Sequence, residues 1–256
     1  EKYKYNFNEF IEKYNNKSLL LKKLYECSCK MTAIVFKIFT SKGPVIVYSN
    51  YVKMEGLDIF KIYLKQFGYS NYLSGKQSKY AYTEYHGGIK NKEDREKNRK
   101  VFNDIKNIRG DLIKIIVISP AGSEGISLSN VRQVHILEPY WNEVRIEQLI
   151  GRAIRQCSHK DLPMKERYVD IFRYKAIKKR GQLTTDQKIE GLAIEKYILI
   201  NTFLQLIKEV AVDCELLKNV NMIEEKYQCF KFDEPKLFEK IVGPAYKEDM
   251  YLDNNL

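Results

Sequence analysis

The chain has 256 residues and a net charge of +11, from 44 Lys+Arg against 33 Asp+Glu. Thirteen Gly, six Pro and five Cys exclude collagen-like, Pro/Gly-rich disordered and disulfide-scaffold chains, and no apolar run approaches the ~20 residues needed to cross a bilayer. The surplus charge points to a polyanion, nucleic acid ahead of a membrane surface, and the odd cysteine number to reduced thiols in a reducing, intracellular setting.

Residues 1–30 read as a basic helical lead-in, in which Asn8 would cap a helix carrying Phe10, Ile11 and Tyr14, with Leu19, Leu20, Leu21 and Leu24 behind it. Residue 1 is Glu and no apolar leader follows, so the chain reads as an unsecreted excerpt of something longer. Short apolar runs then alternate with helical spacing. Val45–Ser49 is a buried strand and Leu57–Phe67 a helix. Tyr80–Tyr85 is an aromatic strand and Lys92–Phe102 a charged helix. Leu112–Ser119 and Gln133–Leu137 are strands, Glu143–Gln156 is a helix, and Arg167–Tyr174 is a strand again. Strands joined by helices imply a parallel sheet, because a parallel pair needs a long crossover. After residue 175 the pattern is helical. Thr184 and Gln187 have capping-box spacing, and the broad apolar set from Ile189 to Val210 is expected to pack on the α/β body. The domains read as 1–30, 31–175 and 176–256.

Ligands of open parallel sheets sit beyond the carboxyl ends of the strands. Ser49-Asn50-Tyr51 leaves the first strand. Ser119 to Leu128, rich in Gly and Ser, leaves the most apolar one and would let backbone amides approach a phosphate. In the next helix Gln148, Arg152 and Arg155 stand at i, i+4 and i+7, hence on one face, and Gly151 leaves room beside Arg152. Guanidinium forks match phosphate oxygens and stabilise charge in phosphoryl transfer.

These residues carry a resemblance. Residues 30–175 resemble the second, C-terminal RecA-like domain of superfamily 2 helicases and translocases. Gln148–Arg155 is similar to motif VI (Q-x-x-G-R-x-x-R), Ser119–Leu128 to motif V and Val45–Asn50 to motif IV. His86-Gly87-Gly88, Arg95 and Phe102-Asn103 resemble the segment between motifs IV and V, and Trp141-Asn142 resembles the Swi/Snf-like branch. The runs SEGISL, VHILEPYWNE and GRAIRQCSH resemble transcription-associated helicases of large nucleocytoplasmic DNA viruses, of the poxvirus early transcription factor and nucleoside triphosphate phosphohydrolase type.

The resemblance implies an α/β fold, a RecA-like parallel sheet with helices on both faces, followed by a helical C-terminal extension. It implies arginine fingers, Arg152 and Arg155, that reach a γ-phosphate, and Gln148 linking motif VI to the cleft water. Gly125 and Ser127 would lie at the nucleotide. Ser49, Asn50, Ser119, Gly122 and Ser123 would lie on the backbone of a single strand or duplex. Glu124 and Ser127 depart from the family pattern, which bears on the ribose contact.

No G-x-x-x-x-G-K-[ST] occurs, Ser74-Gly75-Lys76 lacks the upstream Gly, and Asp233-Glu234 follows no strand pattern. ATP with Mg²⁺ would therefore be bound mainly by the N-terminal RecA-like half, and this chain alone would be inactive. Implied partners are nucleic acid, that N-terminal domain, and viral RNA polymerase or transcription-factor subunits, with no membrane. The setting would be the virion and host cytoplasm. The alternative is a catalytically inactive nucleic-acid or transcription-complex binding module. No metal site is expected: Cys27 and Cys29 read as thiols at a helix end, with only Cys157 and His159 to join them. His86 and His135 read as structural, and Trp141 as a packing anchor between motifs V and VI.

Overall fold

A computed structural model describes residues 9, 12–13, 16–53, 56–75, 80–87, 89, 92–120, 126–178, 181–222 and 226–230. The chain divides into two compact units, Glu1–Ile194 and Glu195–Leu256. The helix expected behind Asn8 lies largely outside the described residues.

In the first unit α1 (Lys17–Cys27) and α2 (Cys29–Phe39) are separated by Ser28, whose hydroxyl accepts from the Met31 N–H at 3.2 Å and so caps α2. Then follow β1 (Val45–Tyr48), α3 (Leu57–Gln66), β2 (Ser70–Asn71), β3 (Ala81–Tyr85), α4 (Lys92–Phe102), β4 (Ile115–Ile118), β5 (Gln133–Ile136), α5 (Glu143–Ala153) and β6 (Asp170–Arg173). The six strands form one sheet in the order β2-β3-β4-β1-β5-β6, with every pairing parallel. This is the α/β, RecA-like sheet the sequence implies. The edge pair β2 is the one strand the pattern did not announce, being two half-buried polar residues.

β1 shows why the sheet needs cover on both sides. Val45 and Val47 pack with Leu24, Val35, Phe60 and Leu64 from α1–α3. Ile46 and Tyr48 point the other way, toward Phe102 of α4 and Ile146 and Leu149 of α5. All four β1 side chains are fully buried, each large apolar one contributing ~1.5–3 kcal/mol.

α6 (Thr185–Glu209) begins with the expected capping box: Thr184 N–H donates to Gln187 Oε1 at 3.0 Å, and Gln187 N–H returns to Thr184 Oγ1 at 3.3 Å. Ala193 is the one buried residue of α6, while Leu199 is 71 % and Phe203 63 % exposed. Apolar residues here surround the helix, so no single neighbouring face could cover them all. In the second unit Cys214 and Cys229 form a disulfide with a Cα–Cα distance of 5.7 Å. This corrects the reading of uniformly reduced thiols. The turn behind α6 doubles back, with Phe230 N–H on the Glu209 carbonyl at 2.7 Å, and so brings the two sulfurs together. Cys27, Cys29 and Cys157 are free and exposed. Among the described residues no helix is long and apolar enough to cross a membrane.

Candidate nucleotide and nucleic-acid edge

β1 lies between β4 and β5, and the chain order reverses around it, so the segments leaving these three strands meet at one edge of the sheet. Gly122, Ser123 and Gly125 lie outside the described residues. From Ile126 onward the segment is ordered by its neighbours.

α5 is capped by Asn142, whose Oδ1 accepts from the Val144 N–H at 3.1 Å, and anchored by Ile146, Leu149 and Ala153. Gln148 is exposed and Arg152 half-buried. The helix ends at Ala153, three residues before the sequence pattern suggests, because the chain turns into a left-handed residue at Cys157 (φ 61°). Arg155 therefore lies beyond the helix, and the single face shared by Gln148, Arg152 and Arg155 is corrected to Gln148 and Arg152 alone. The turn still brings Arg155 back to the motif V segment: its Nη1 donates to Ser127 Oγ, and Leu128 N–H reaches the Arg152 carbonyl at 3.4 Å. Further along, Asn130 N–H donates to the Ser158 carbonyl at 2.8 Å, and the His159 ring nitrogen Nε2 lies 2.7 Å from the Val131 carbonyl. Glu143, in the first turn of α5, is paired with Arg173. A Cβ at Gly151 would meet nothing within 4 Å, so packing inside this chain does not demand glycine there.

From the other side Asn103, just past α4, holds the same segment. Its Nδ2 donates to the Ser127 carbonyl at 2.8 Å, and its Oδ1 accepts from the Ser129 N–H at 2.9 Å.

Ser49 and Ser119 are buried, so the expectation that their hydroxyls touch a nucleic-acid backbone meets an inward placement. The Ser49 hydroxyl lies 2.8 Å from Glu138 Oε1 and 3.0 Å from the Tyr51 carbonyl, and the same Glu138 oxygen accepts the Asn50 N–H. Asn50 Oδ1 accepts from the Tyr48 hydroxyl at 2.9 Å, while its Nδ2 is buried without a hydrogen-bond partner. Burial pushes the Glu138 carboxyl above its usual range, against the opposing pull of the Asn50 N–H, the Ser49 hydroxyl and the field of Lys30. Glu138 is not singled out in the sequence, and Asn103 enters only through the Phe102-Asn103 pair of the family-like segment, with no role attached to it. For Glu138 the available signal is position alone, directly after the apolar strand.

Glu138 yields a prediction. Because its carboxyl titrates higher in the fold than in the unfolded chain, its contribution is most favourable at low pH and declines as pH rises through the folded value. Glu138→Gln keeps the acceptor without the charge, so it should remove that decline and leave stability at pH 8 equal to or above the parent's. Glu138→Ala should lose about 1–3 kcal/mol by orphaning the Ser49 hydroxyl and Asn50 N–H. Urea unfolding at pH 5 and 8 checks both, and an alanine variant as stable as the parent would refute the clamp.

Of the remaining residues, His86 is buried with Nε2 2.8 Å from Glu84 Oε2. His135 is fully buried in β5, stacked on Phe172 with ring centroids 5.0 Å apart. Its Nε2 faces Gln133 Oε1 at 3.1 Å, so the neutral ring carries its proton there, and Nδ1 accepts from the Tyr174 hydroxyl at 2.8 Å. Burial, with the charge of Lys37, holds its pKa down to about 3. Trp141, on the loop before α5, is 49 % exposed and lies beside Tyr140, at 5.4 Å between ring centroids. Among the described residues no group of three or more His, Cys, Asp or Glu is placed to hold a metal ion. The guanidinium groups suit the phosphate end of a nucleotide.

Comparison with known proteins bears directly on this edge. The chain is 48 % identical over 254 residues to the "Putative ATP-dependent RNA helicase R350" of Acanthamoeba polyphaga mimivirus, covering 95 % of this chain and 31 % of that protein. It is 33 % identical to nucleoside triphosphatase I of Melanoplus sanguinipes entomopoxvirus, over 89 % of this chain and 33 % of that one. It is 31 % identical to the termination factor NPH-I homolog of African swine fever virus, over 73 % and 33 %. The chain thus spans about a third of the length of each of these relatives. The model of the helicase conserved C-terminal domain matches residues 28–157, from the start of α2 through β1, β4 and β5 to the arginines at the end of α5, and the chain belongs to that family.

Proposed function

We propose that this chain is the C-terminal RecA-like half of an NTP-dependent helicase or translocase that works on DNA or RNA in viral transcription. One observation carries the reading: the arginine-bearing end of α5 is bonded to the motif V segment, through Arg155 to Ser127 and Arg152 to Leu128. The Arg155 guanidinium and the Arg152 backbone are thereby held at the ligand edge of the sheet, and among the described residues no ion pair is recorded for either side chain. ATP with Mg²⁺ binds mainly to an N-terminal RecA-like half. When bound it supplies the phosphoryl group to be cleaved. Arg152 and Arg155 reach its γ-phosphate across the cleft, Gln148 links motif VI to the cleft water, and Gly125 and Ser127 lie along the nucleotide. Asn50, Gly122 and Ser123 would contact the nucleic-acid backbone, with the buried Ser49 hydroxyl supporting the Asn50-Tyr51 turn. The net charge of +11 and the open space over Gly151 agree with approach by a polyanion and a second domain. The relatives' names, a helicase, a triphosphatase and a termination factor, support the class of reaction and the link to transcription.

The isolated chain is expected to bind oligonucleotides weakly, with little regard to sequence. Contact with three phosphates would weaken affinity roughly 40-fold between 50 and 200 mM salt, since counterion release drives such binding. Fluorescence anisotropy against salt measures it. A salt-independent, sequence-selective affinity would contradict the reading.

A further inference from the structure

Resting on that reading, we infer that Asn103 is a positioning residue for the arginine pair. It acts through the motif V backbone rather than by touching a ligand. The segment 126–129 belongs to no strand, so nothing in the sheet ladder fixes its register. On the α4 side one carboxamide holds it. Asn103 donates to the Ser127 carbonyl and accepts from the Ser129 N–H, reading residues 127 and 129 as a neighbouring strand would. Only Asn or Gln offers both a donor and an acceptor for this task, and Gln is longer by a methylene.

The clamp itself is rigidly mounted. Asn103 N–H donates to the Arg99 carbonyl at 3.0 Å, continuing α4, and the preceding Phe102 is fully buried with Ile146 and Leu149 of α5. Helix α4 and the end of α5 thus grip the same short segment from two sides. Between them lies Ser127, whose carbonyl belongs to Asn103 and whose hydroxyl accepts from Arg155. Displacing the Ser127 backbone displaces the acceptor that aims the guanidinium. Small errors in such aim are expensive in rate, up to ~10²-fold for about 1 Å.

The test uses the full-length protein, with both RecA-like halves. Asn103→Asp keeps the shape but sets a carboxylate oxygen against the Ser127 carbonyl. It is expected to lower kcat by ~10- to 100-fold, with nucleotide KM and melting temperature unchanged. Ser127→Ala removes the last link, the hydroxyl that accepts from Arg155, and should lower kcat in the same direction without unfolding, any loss of its own nucleotide contact being read separately in KM. The deciding readout is non-additivity: in an Arg155→Ala background, Asn103→Asp should have no further effect on kcat. A merely structural asparagine would lower the melting temperature and act equally in both backgrounds. Full turnover in Arg155→Ala overturns the arginine-finger reading itself. Loss in Arg155→Ala with full turnover in Asn103→Asp, or in Ser127→Ala, overturns the positioning role alone, as does an additive double variant. Should Asn103→Asp fail to fold, Asn103→Ser, too short to reach residues 127 and 129, decides the same question in the two backgrounds.

Discussion

In the full-length protein, Arg155→Lys and Arg152→Lys are each expected to reduce NTP turnover by roughly 10³-fold while leaving nucleotide affinity nearly unchanged. The expectation follows from charge and shape together. A departing γ-phosphoryl group gathers negative charge on its equatorial oxygens, and a planar guanidinium can hydrogen-bond two of them at once. Lysine keeps the charge and loses the fork. Arg155 has a further constraint, since one of its terminal nitrogens donates to Ser127 and so presents the remaining N–H groups in a fixed direction. An ammonium on a flexible stem holds no such direction. Ground-state binding rests mainly on the other RecA-like half, so it should not follow the loss in rate. Single-turnover hydrolysis, nucleotide titration and thermal melting, run on the same variants, separate the roles. Normal turnover with earlier melting would make the arginines braces, and normal turnover in both variants would remove the end of α5 from catalysis.

Acid should destabilise the first unit through His135. The ring is neutral in the fold, with its pKa held down to about 3 by burial and by Lys37, whereas in the unfolded chain it titrates near 6.5. Its contribution to stability is therefore complete above pH 6.5. It is lost progressively as pH falls toward 3, because the unfolded chain takes up the proton first. Between pH 7 and 4.5 the loss assignable to this one residue is about 2.5 kcal/mol. His135→Gln can still meet Gln133 and Tyr174 but does not titrate, so its stability should vary with pH by about that much less than the parent's. Parallel denaturant titrations at the two pH values give the difference, and identical pH dependence in parent and variant would show that His135 is charged or solvated in the fold.

Much of this architecture could be read from residue order because local periodicity reports burial directly. Val45–Tyr48 and Ile115–Ile118 are continuous apolar runs because sheet strands covered on both faces have no polar side to show. The helices at Leu57 and Lys92 announced themselves by 3.6-residue spacing and by charge. The arginines were legible as residue types at a recognisable spacing, and so was the family they indicate. Tertiary structure alone decided how they are held. Whether Arg155 lies on a helix depends on where the chain breaks after Ala153, and that is set by a turn whose partners, Ser127 and Leu128, come from 28 and 24 residues earlier. The same holds for Ser49, which looks like a ligand contact in a strand-end motif and turns inward because a carboxylate 89 residues away needs its hydroxyl. Phe102-Asn103 is recognisable as a family-like pair, but what Asn103 and Glu138 hold is not legible, since a side chain that hydrogen-bonds a distant backbone leaves no local pattern. Composition could name the groups able to meet a phosphate. Only the folded chain, by spending some of those groups on each other, decided which remain free to do so.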